Sequence, residues 1–239
     1  MHVGARPPAP RTVRVWDLPT RLFHWSLALC VATACASAQS GGYLAQRLHY
    51  RCGYAVLVLV LFRLAWGLAG PRYARFAQFV RGPAAVLRYV RRLAAPAPPG
   101  GAPGDPGHNP LGALSVLALL AACGLQAASG LFAKDDIASE GPLAHRVSDA
   151  LVDRLTGLHD LGADTLYALV GLHLLAIALY RWRKREDLLT PMITGNKTLA
   201  ADAGAAQAPE DALDRPLWPR AALLLGLSGA LVCAVVNLG

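Results

Sequence analysis

The feature that most restricts the fold is an apolar run over residues 159–180 that contains two histidines, His159 and His173. A run of this length can cross the hydrocarbon core of a bilayer as one helix. The two histidines are fourteen residues apart, close to four helical turns, so both imidazoles leave one face, about 21 Å apart along the axis. We therefore expect a membrane-spanning helix with one imidazole near each side of the membrane.

The composition supports a membrane protein rather than a soluble domain. Of the 239 residues, 54% are hydrophobic and only 16% are charged. The net charge of +8 could indicate a nucleic acid partner, but the basic residues flank apolar runs and no nucleic-acid-binding motif is present, so we expect none. The five cysteines form no Cys-x-x-Cys pair, which argues against a zinc site, and no Cys-x-x-Cys-His motif, which excludes covalently attached haem.

The apolar runs predict an all-α fold, an integral membrane four-helix bundle with one additional C-terminal transmembrane helix. A signal peptide ending at Ala36-Ser-Ala38 is the alternative for the first run, but the pair His24-Trp25 at its entrance favours a retained helix. The basic, aromatic-containing stretch 72–93 predicts an amphipathic helix on an anionic membrane surface, followed by a Pro/Gly-rich linker at 96–106. The predicted parts are a basic cytoplasmic tail (1–20), the bundle (21–190, with spans at about 22–40, 50–69, 110–132 and 159–181), a cytoplasmic linker (191–219) and the fifth helix (220–238).

Arginine and lysine distribution predicts the orientation, because cytoplasmic segments carry the excess of basic residues. The tail, the 72–93 stretch and the cluster at 181–185 are basic, so they are expected in the cytoplasm, while the acidic stretch 133–158 is expected outside. Five spans then place the N-terminus in the cytoplasm and the C-terminus outside.

Depth in the membrane sorts four histidines into two pairs. His24 begins the first span on the inner side, and His173 lies at the same level; His49 begins the second span on the outer side, at the level of His159. Two neutral imidazoles facing each other suit the iron of a b-type haem, whereas zinc or a transported metal needs more ligands at one level. The alternatives are that His24 and His49 are solvated at the interfaces and that His173 is a structural histidine bonded to a carbonyl.

Four other residues are candidate haem contacts. Arg63 lies fourteen residues after His49 and could bind a propionate at the inner site, or reach the inner head groups instead. Gly53 lies one turn from His49, where the missing side chain would admit a porphyrin, or serve ordinary helix packing. Arg47 could pair with an outer propionate and Arg21 with an inner one, although both could be interface anchors.

Several blocks of residues occur in order between residues 12 and 197 and resemble one known family. They are Val15-Trp-Asp-Leu-Pro-Thr-Arg-Leu-Phe-His24-Trp, His49-Tyr-Arg-Cys-Gly-Tyr with Arg63, Gly107-His-Asn-Pro-Leu-Gly, Gly130-Leu-Phe-Ala-Lys-Asp-Asp-Ile, Glu140-Gly-Pro-Leu, the stretch from His159 to His173, and Pro191-Met-Ile-Thr-Gly-Asn-Lys. Together they resemble the prokaryotic di-haem cytochrome b561 family, which includes the b-type cytochrome subunit of nickel–iron hydrogenases.

The resemblance implies two haem b cofactors, with His24, His49, His159 and His173 as the axial iron ligands, in the inner (cell) membrane of a bacterium. The expected function is electron transfer across the membrane between the quinone pool and a redox partner, such as a dehydrogenase, a hydrogenase or a cytochrome c. Whether the chain is itself a quinone oxidoreductase is open. The alternative is a haem-free membrane anchor or transporter subunit, although no broken helices or inverted repeat indicate a transporter. The fifth span lies outside the family core.

Overall fold

The protein is built almost entirely of helices, and the all-α prediction is confirmed. The computed structural model describes residues 11–94, 107–134, 140–199 and 217–238. The helices are α1 (Leu18–Ala38), α2 (Tyr43–Ala69), α3 (Phe76–Phe79), α4 (Pro83–Ala94), α5 (Pro110–Gly130), α6 (Asp149–Arg183), α7 (Leu189–Thr194) and α8 (Leu217–Val236); short 3₁₀ turns lie at Arg72–Ala74 and Ala144–Arg146, and the strands are β1 (Arg11–Arg14) and β2 (Asn196–Leu199).

Two of the long helices begin at side-chain caps that the sequence encodes directly. Asp17 precedes α1, and its carboxylate accepts hydrogen bonds from the Thr20 amide at 2.9 Å and the Thr20 hydroxyl at 2.7 Å. Asn109 precedes α5 and accepts from the Gly112 amide at 2.8 Å. The preceding His108, which a first inspection of the sequence also suggests as a cap, does not serve as one, because the shorter amide side chain of Asn109 reaches the free N–H group.

Helix α2 is the centre of the bundle and packs against α1, α5 and α8. Trp66 of α2 is completely buried there, beside Phe62 of the same helix and Phe23 of α1. Helix α6 packs mainly against α5. Because α8 packs against α2, it belongs to the bundle. Near the start of α8, the Arg220 guanidinium donates a 2.8 Å hydrogen bond to the carbonyl of Ala69, the last residue of α2.

Four helices in the described ranges are long and apolar enough to cross a membrane: α2, α5, α6 and α8. They expose many leucines, such as Leu68 and Leu172, as lipid-facing helices do. Helix α1 has the same length as α5 but is less apolar, since Arg21 and His24 lie in its first turns. The molecule is thus a helical membrane bundle.

The ends of the bundle sequence are tied together by a short antiparallel ribbon that the sequence did not predict. β1 pairs with β2 from Arg11 opposite Leu199 to Arg14 opposite Asn196. Gly195 begins the return at a φ of +89°, a conformation that favours glycine, and its carbonyl accepts the Val15 amide at 2.8 Å. The predicted linker at 191–219 is therefore partly ordered structure.

Two predicted segments differ in extent from the structure. Helix α6 begins at Asp149 rather than near residue 159. Residues 149–158 combine polar residues with apolar ones such as Val152, which is buried. An amphipathic segment of this kind is helical but lacks the hydropathy by which a span is recognised in the sequence. The stretch 72–93 forms a 3₁₀ turn and two short helices instead of one, with Pro83 opening the second. Residues 1–10 of the tail, the linker at 96–106 and residues 200–216 lie outside the described residues.

Candidate functional site

The structure brings His49 of α2 and His159 of α6 together. Their ring centroids are 6.1 Å apart and the rings are nearly perpendicular, at 81°. His49 Nδ1 lies 3.0 Å from the Ala34 carbonyl oxygen, and His159 Nδ1 lies 3.0 Å from that of Gln126. A carbonyl only accepts, so Nδ1 carries the proton in both rings and each Nε2 keeps a free lone pair. Within the described ranges, neither Nε2 makes a hydrogen bond.

Helix α5 holds His159 by several contacts that the sequence did not suggest. The Gln126 side-chain amide donates to the His159 carbonyl at 2.9 Å, so Gln126 contacts both the backbone and the ring of His159. The Ser129 hydroxyl lies 3.3 Å from His159 Nδ1. Gly130 lies against the ring, and a Cβ atom there would be only 2.8 Å from His159 Cε1. These residues fix the rotamer of His159.

A cavity of about 940 Å³ borders His49 and His159. Ligand sites typically have volumes of roughly 300–1,000 Å³. Gly53 lies on its wall with open space at the position of a missing Cβ, as expected for a residue that admits a large planar group. Arg47 does not line this cavity; its guanidinium lies over the Tyr43 ring, 5.3 Å from the centroid.

The second predicted pair is His24 of α1 and His173 of α6, and its ring nitrogens make fewer hydrogen bonds than those of His49 and His159. The two imidazoles are close enough to interact electrostatically, and both are partly buried. His173 Nδ1 lies 3.4 Å from the Ser115 hydroxyl of α5. His24 Nδ1 is buried and has no hydrogen-bond partner.

Arg63 lies inside the protein at this end of the bundle. The residue is 3% exposed, its guanidinium lies over the Phe76 ring at 4.8 Å, and Nη1 has no hydrogen-bond partner. It interacts electrostatically with Asp17, which is 2% exposed and also accepts a bond from Trp66 Nε1 at 3.2 Å. Asp17 is thus a buried carboxylate that joins α1 to α2, a role for which the sequence shows only the helix-cap signal.

Arg21 and His108 lie at the same end of the bundle as Arg63. Arg21 donates to the carbonyl of Ile193, so its charge helps to hold the segment after α6. The His108 ring lies between Trp16 and Phe79, with centroid distances of 4.6 and 4.5 Å. Burial, followed by the positive charges of Arg63 and His24, lowers the pKa of His108 to about 3, so its imidazole is neutral at neutral pH.

The paired histidines fit the haem that the sequence analysis predicts. Two imidazoles on one metal, with metal–nitrogen distances of about 2 Å, have ring centroids roughly 6 Å apart, and the His49–His159 distance is 6.1 Å. Metal-binding histidines usually donate the other ring N–H to a carbonyl or carboxylate, as both rings can here. No cluster of three or more histidine, cysteine or acidic side chains suited to a bare metal ion occurs in the described part of the chain.

Comparison with known proteins identifies the family. The family model described as prokaryotic cytochrome b561, whose label denotes the b-type cytochrome of nickel hydrogenases, matches residues 15–195. No curated protein and no solved structure matches the chain. The family match covers well over half of the sequence and includes all four paired histidines. The chain therefore belongs to the prokaryotic cytochrome b561 family, bacterial membrane proteins that bind b-type haem and transfer electrons across the membrane.

Proposed function

We propose that the chain carries electrons through two b-type haems, between the quinone pool and a redox partner such as a dehydrogenase, a hydrogenase or a cytochrome c. One haem is bound by His49 and His159, the other by His24 and His173. The family supplies the general function, haem-based electron transfer in a bacterial membrane. The number of haems, their ligands and the quinone are the further content of the proposal.

The observation that carries the proposal is the geometry of His49 and His159. Their separation of 6.1 Å suits two ligands of one iron, and both Nδ1 atoms face backbone carbonyls. Such bonds fix the tautomer, so Nε2 is the nitrogen available to a metal, and they raise the basicity of the ring. The adjoining cavity of about 940 Å³ has the size and the glycine-lined wall that a porphyrin requires.

Both proposed sites depend on α6. This helix is continuous from Asp149 to Arg183, so His159 and His173 lie about 21 Å apart on one face. A haem held at each site would supply one-electron chemistry, and two histidines bound to its iron would favour electron transfer over ligand binding. The role of the histidines is to hold two redox centres at different depths of the membrane.

Charge distribution supports a cytoplasmic N-terminus, with α1 as a fifth span. The basic segment with α4, and the arginines at the end of α6, belong on the cytoplasmic side beside the lipid head groups. His24, Arg63 and Arg21 then lie near the cytoplasmic surface. Arg63 supports a haem propionate there, because it is a buried guanidinium with an unpartnered nitrogen.

The test is a haem count with site-specific variants. The purified protein is expected to show reduced-minus-oxidised bands of about two b-type haems per chain. His173→Ala should remove one haem and His49→Ala the other, while His145→Ala, at an exposed histidine in a loop, should remove neither. A colourless protein, or variants that lose both haems together while staying folded, would overturn the proposal.

A further inference from the structure

Buried nitrogen atoms without an acceptor cluster at one end of the bundle. In the described ranges, five buried side-chain N or O atoms lack a hydrogen-bond partner, and four of them belong to Arg21, His24, Arg63 and His108. The fifth, Gln126 Oε1, lies at the other proposed site. All four are nitrogens of basic side chains, so this end of the protein has an excess of potential donors over acceptors.

The buried acid beside this cluster already accepts three hydrogen bonds. Asp17 accepts from the Thr20 amide, the Thr20 hydroxyl and Trp66 Nε1. It interacts with Arg63 through charge, but Arg63 Nη1 remains without a hydrogen bond. An unsatisfied buried donor costs about 1–3 kcal/mol, and more when it is charged. The arrangement is therefore explained best by a second negatively charged acceptor.

Arg63 and His108 are held by the same aromatic segment. Phe76 and Phe79 of α3 contact each other at 5.7 Å; the Phe76 ring lies under the Arg63 guanidinium, and the Phe79 ring packs on His108. His108 also interacts electrostatically with Arg63 and with His24. The two side chains are thus fixed neighbours of a proposed haem ligand, although His108 comes from a different part of the chain.

We infer that Nδ1 of His108 and the guanidinium of Arg63 form a carboxylate site beside His24, and that its occupant is a propionate of the haem on the His24–His173 pair. The inference rests on the proposed function and adds His108 to it. Arg63 supplies the positive charge, and the His108 ring, held in place by Trp16 and Phe79, supplies an N–H donor.

The position of His108 favours a carboxylate of the haem over a separate ligand. His108 interacts electrostatically with both Arg63 and His24, so the two donors lie beside a proposed iron ligand. A propionate is part of the haem that His24 is proposed to bind, so it is brought to this end of the bundle with that haem. The small cavity of about 50 Å³ beside His108 and Phe79 is lined by neither Arg63 nor His24, so it is not part of the proposed site.

The experiment compares two substitutions of His108 in a His49→Ala background, which leaves one proposed haem site. His108→Phe keeps an aromatic ring between Trp16 and Phe79 but removes the N–H donor. His108→Asn loses the ring but keeps a donor near the Nδ1 position. Haem affinity is measured by titrating haem into the apoprotein, and the midpoint potential of the bound haem by redox titration.

His108→Phe should weaken haem binding about ten- to one-hundredfold, the value of one hydrogen bond to a charged group. It should also lower the midpoint potential, because a less neutralised propionate stabilises ferric iron. His108→Asn should restore most of both. Haem dimethyl ester, which has no carboxylates, should bind the unsubstituted His108 protein and the His108→Phe variant equally well.

The outcomes separate this inference from the proposed function. If His49→Ala abolishes all haem binding in a folded protein, or removes none, the ligand pairing itself fails. If one haem remains but His108→Phe changes neither affinity nor potential, only the inference fails. An equal effect of His108→Phe on haem and on its dimethyl ester would also refute it. Should His108→Phe not fold, weaker binding of the ester than of haem by the protein with His108 intact supports the carboxylate site, and equal binding refutes it.

Discussion

If the proposed haem sites are correct, Gly130→Ala should disable the site at His49 and His159 and spare the other. A Cβ atom at Gly130 would lie 2.8 Å from His159 Cε1 and 3.2 Å from Nδ1, whereas ordinary van der Waals contact begins at 3.4 Å. The ring must therefore move by 0.6 Å, the difference between 3.4 and 2.8 Å. Metal–ligand distances tolerate about ±0.2 Å, so the displaced imidazole can no longer bind the iron and keep its bond to the Gln126 carbonyl.

The change should act on the site and not on the stability of the helix. Gly130 is the last residue of α5 and has no positive φ, so alanine is compatible with the backbone there. Alanine is also favoured over glycine in a helix by about 1 kcal/mol. We expect the haem proposed for the His49–His159 pair to bind at least about tenfold more weakly, which corresponds to roughly 1.4 kcal/mol.

The assay is the haem-to-protein ratio of the purified variant, with redox titration to identify the haem that remains. Gly171→Ala is the matched control, because Gly171 lies exposed on α6 with nothing near its Cβ position, and its haem content should equal that of the unsubstituted protein. Two haems with unchanged midpoint potentials in Gly130→Ala would refute the steric reasoning.

Two further predictions concern carboxylates at the same end of the fold. Asp17→Ala should lower the free energy of unfolding by about 3–5 kcal/mol, because it removes a helix cap and leaves Arg63 as an unpaired buried charge; a thermal midpoint in detergent equal to that of the unsubstituted protein would contradict this. Hydrogen bonds from the Thr190 hydroxyl and amide, then from the Leu189 amide, hold the pKa of Asp187 below its ordinary value of 3.8. The carboxylate therefore stabilises α7 above about pH 4 and loses this effect as the pH falls through its folded-state pKa. The rate of amide hydrogen exchange in α7, corrected for the intrinsic rate, should rise at low pH in the unsubstituted protein. It should not rise in Asp187→Asn.

The helices and the approach of His49 to His159 could be predicted from the sequence because both follow from local rules. Apolar runs of span length must form helices in a bilayer, and a rise of about 1.5 Å per residue converts sequence spacing into depth. The proximity of His49 to His159 was expected on this basis alone, and the structure places their rings 6.1 Å apart. Helix boundaries were less accurate, as at Asp149, because a polar amphipathic turn continues a span without sharing its hydropathy.

Contacts between distant segments could not be read in this way. The ribbon of β1 and β2 joins residues from opposite ends of the described bundle, and nothing in either four-residue strand specifies its partner. The sequence around His108 indicates only the start of a helix, whereas the position of its ring is decided by Trp16 and Phe79 from two other segments. Gln126 is a single polar residue in an apolar run, and its role depends on which helix faces it.

Helix α5 carries no proposed ligand, yet it fixes the register of the helix that carries two. Ser115 faces His173 and Ser129 faces His159, and the two serines are separated by fourteen residues, the same interval as the two histidines. Because the helices are antiparallel, each step along α5 is matched by a step back along α6, from Tyr180 opposite Asn109 at one end to Thr156 opposite Lys134 at the other. A slip of α6 by one residue would rotate both imidazoles by about 100° away from α1 and α2. The hydrogen bonds between α5 and α6 oppose such a slip along the whole length of the contact. Helix α5, which contains no histidine, thus determines that His159 and His173 face their partners together.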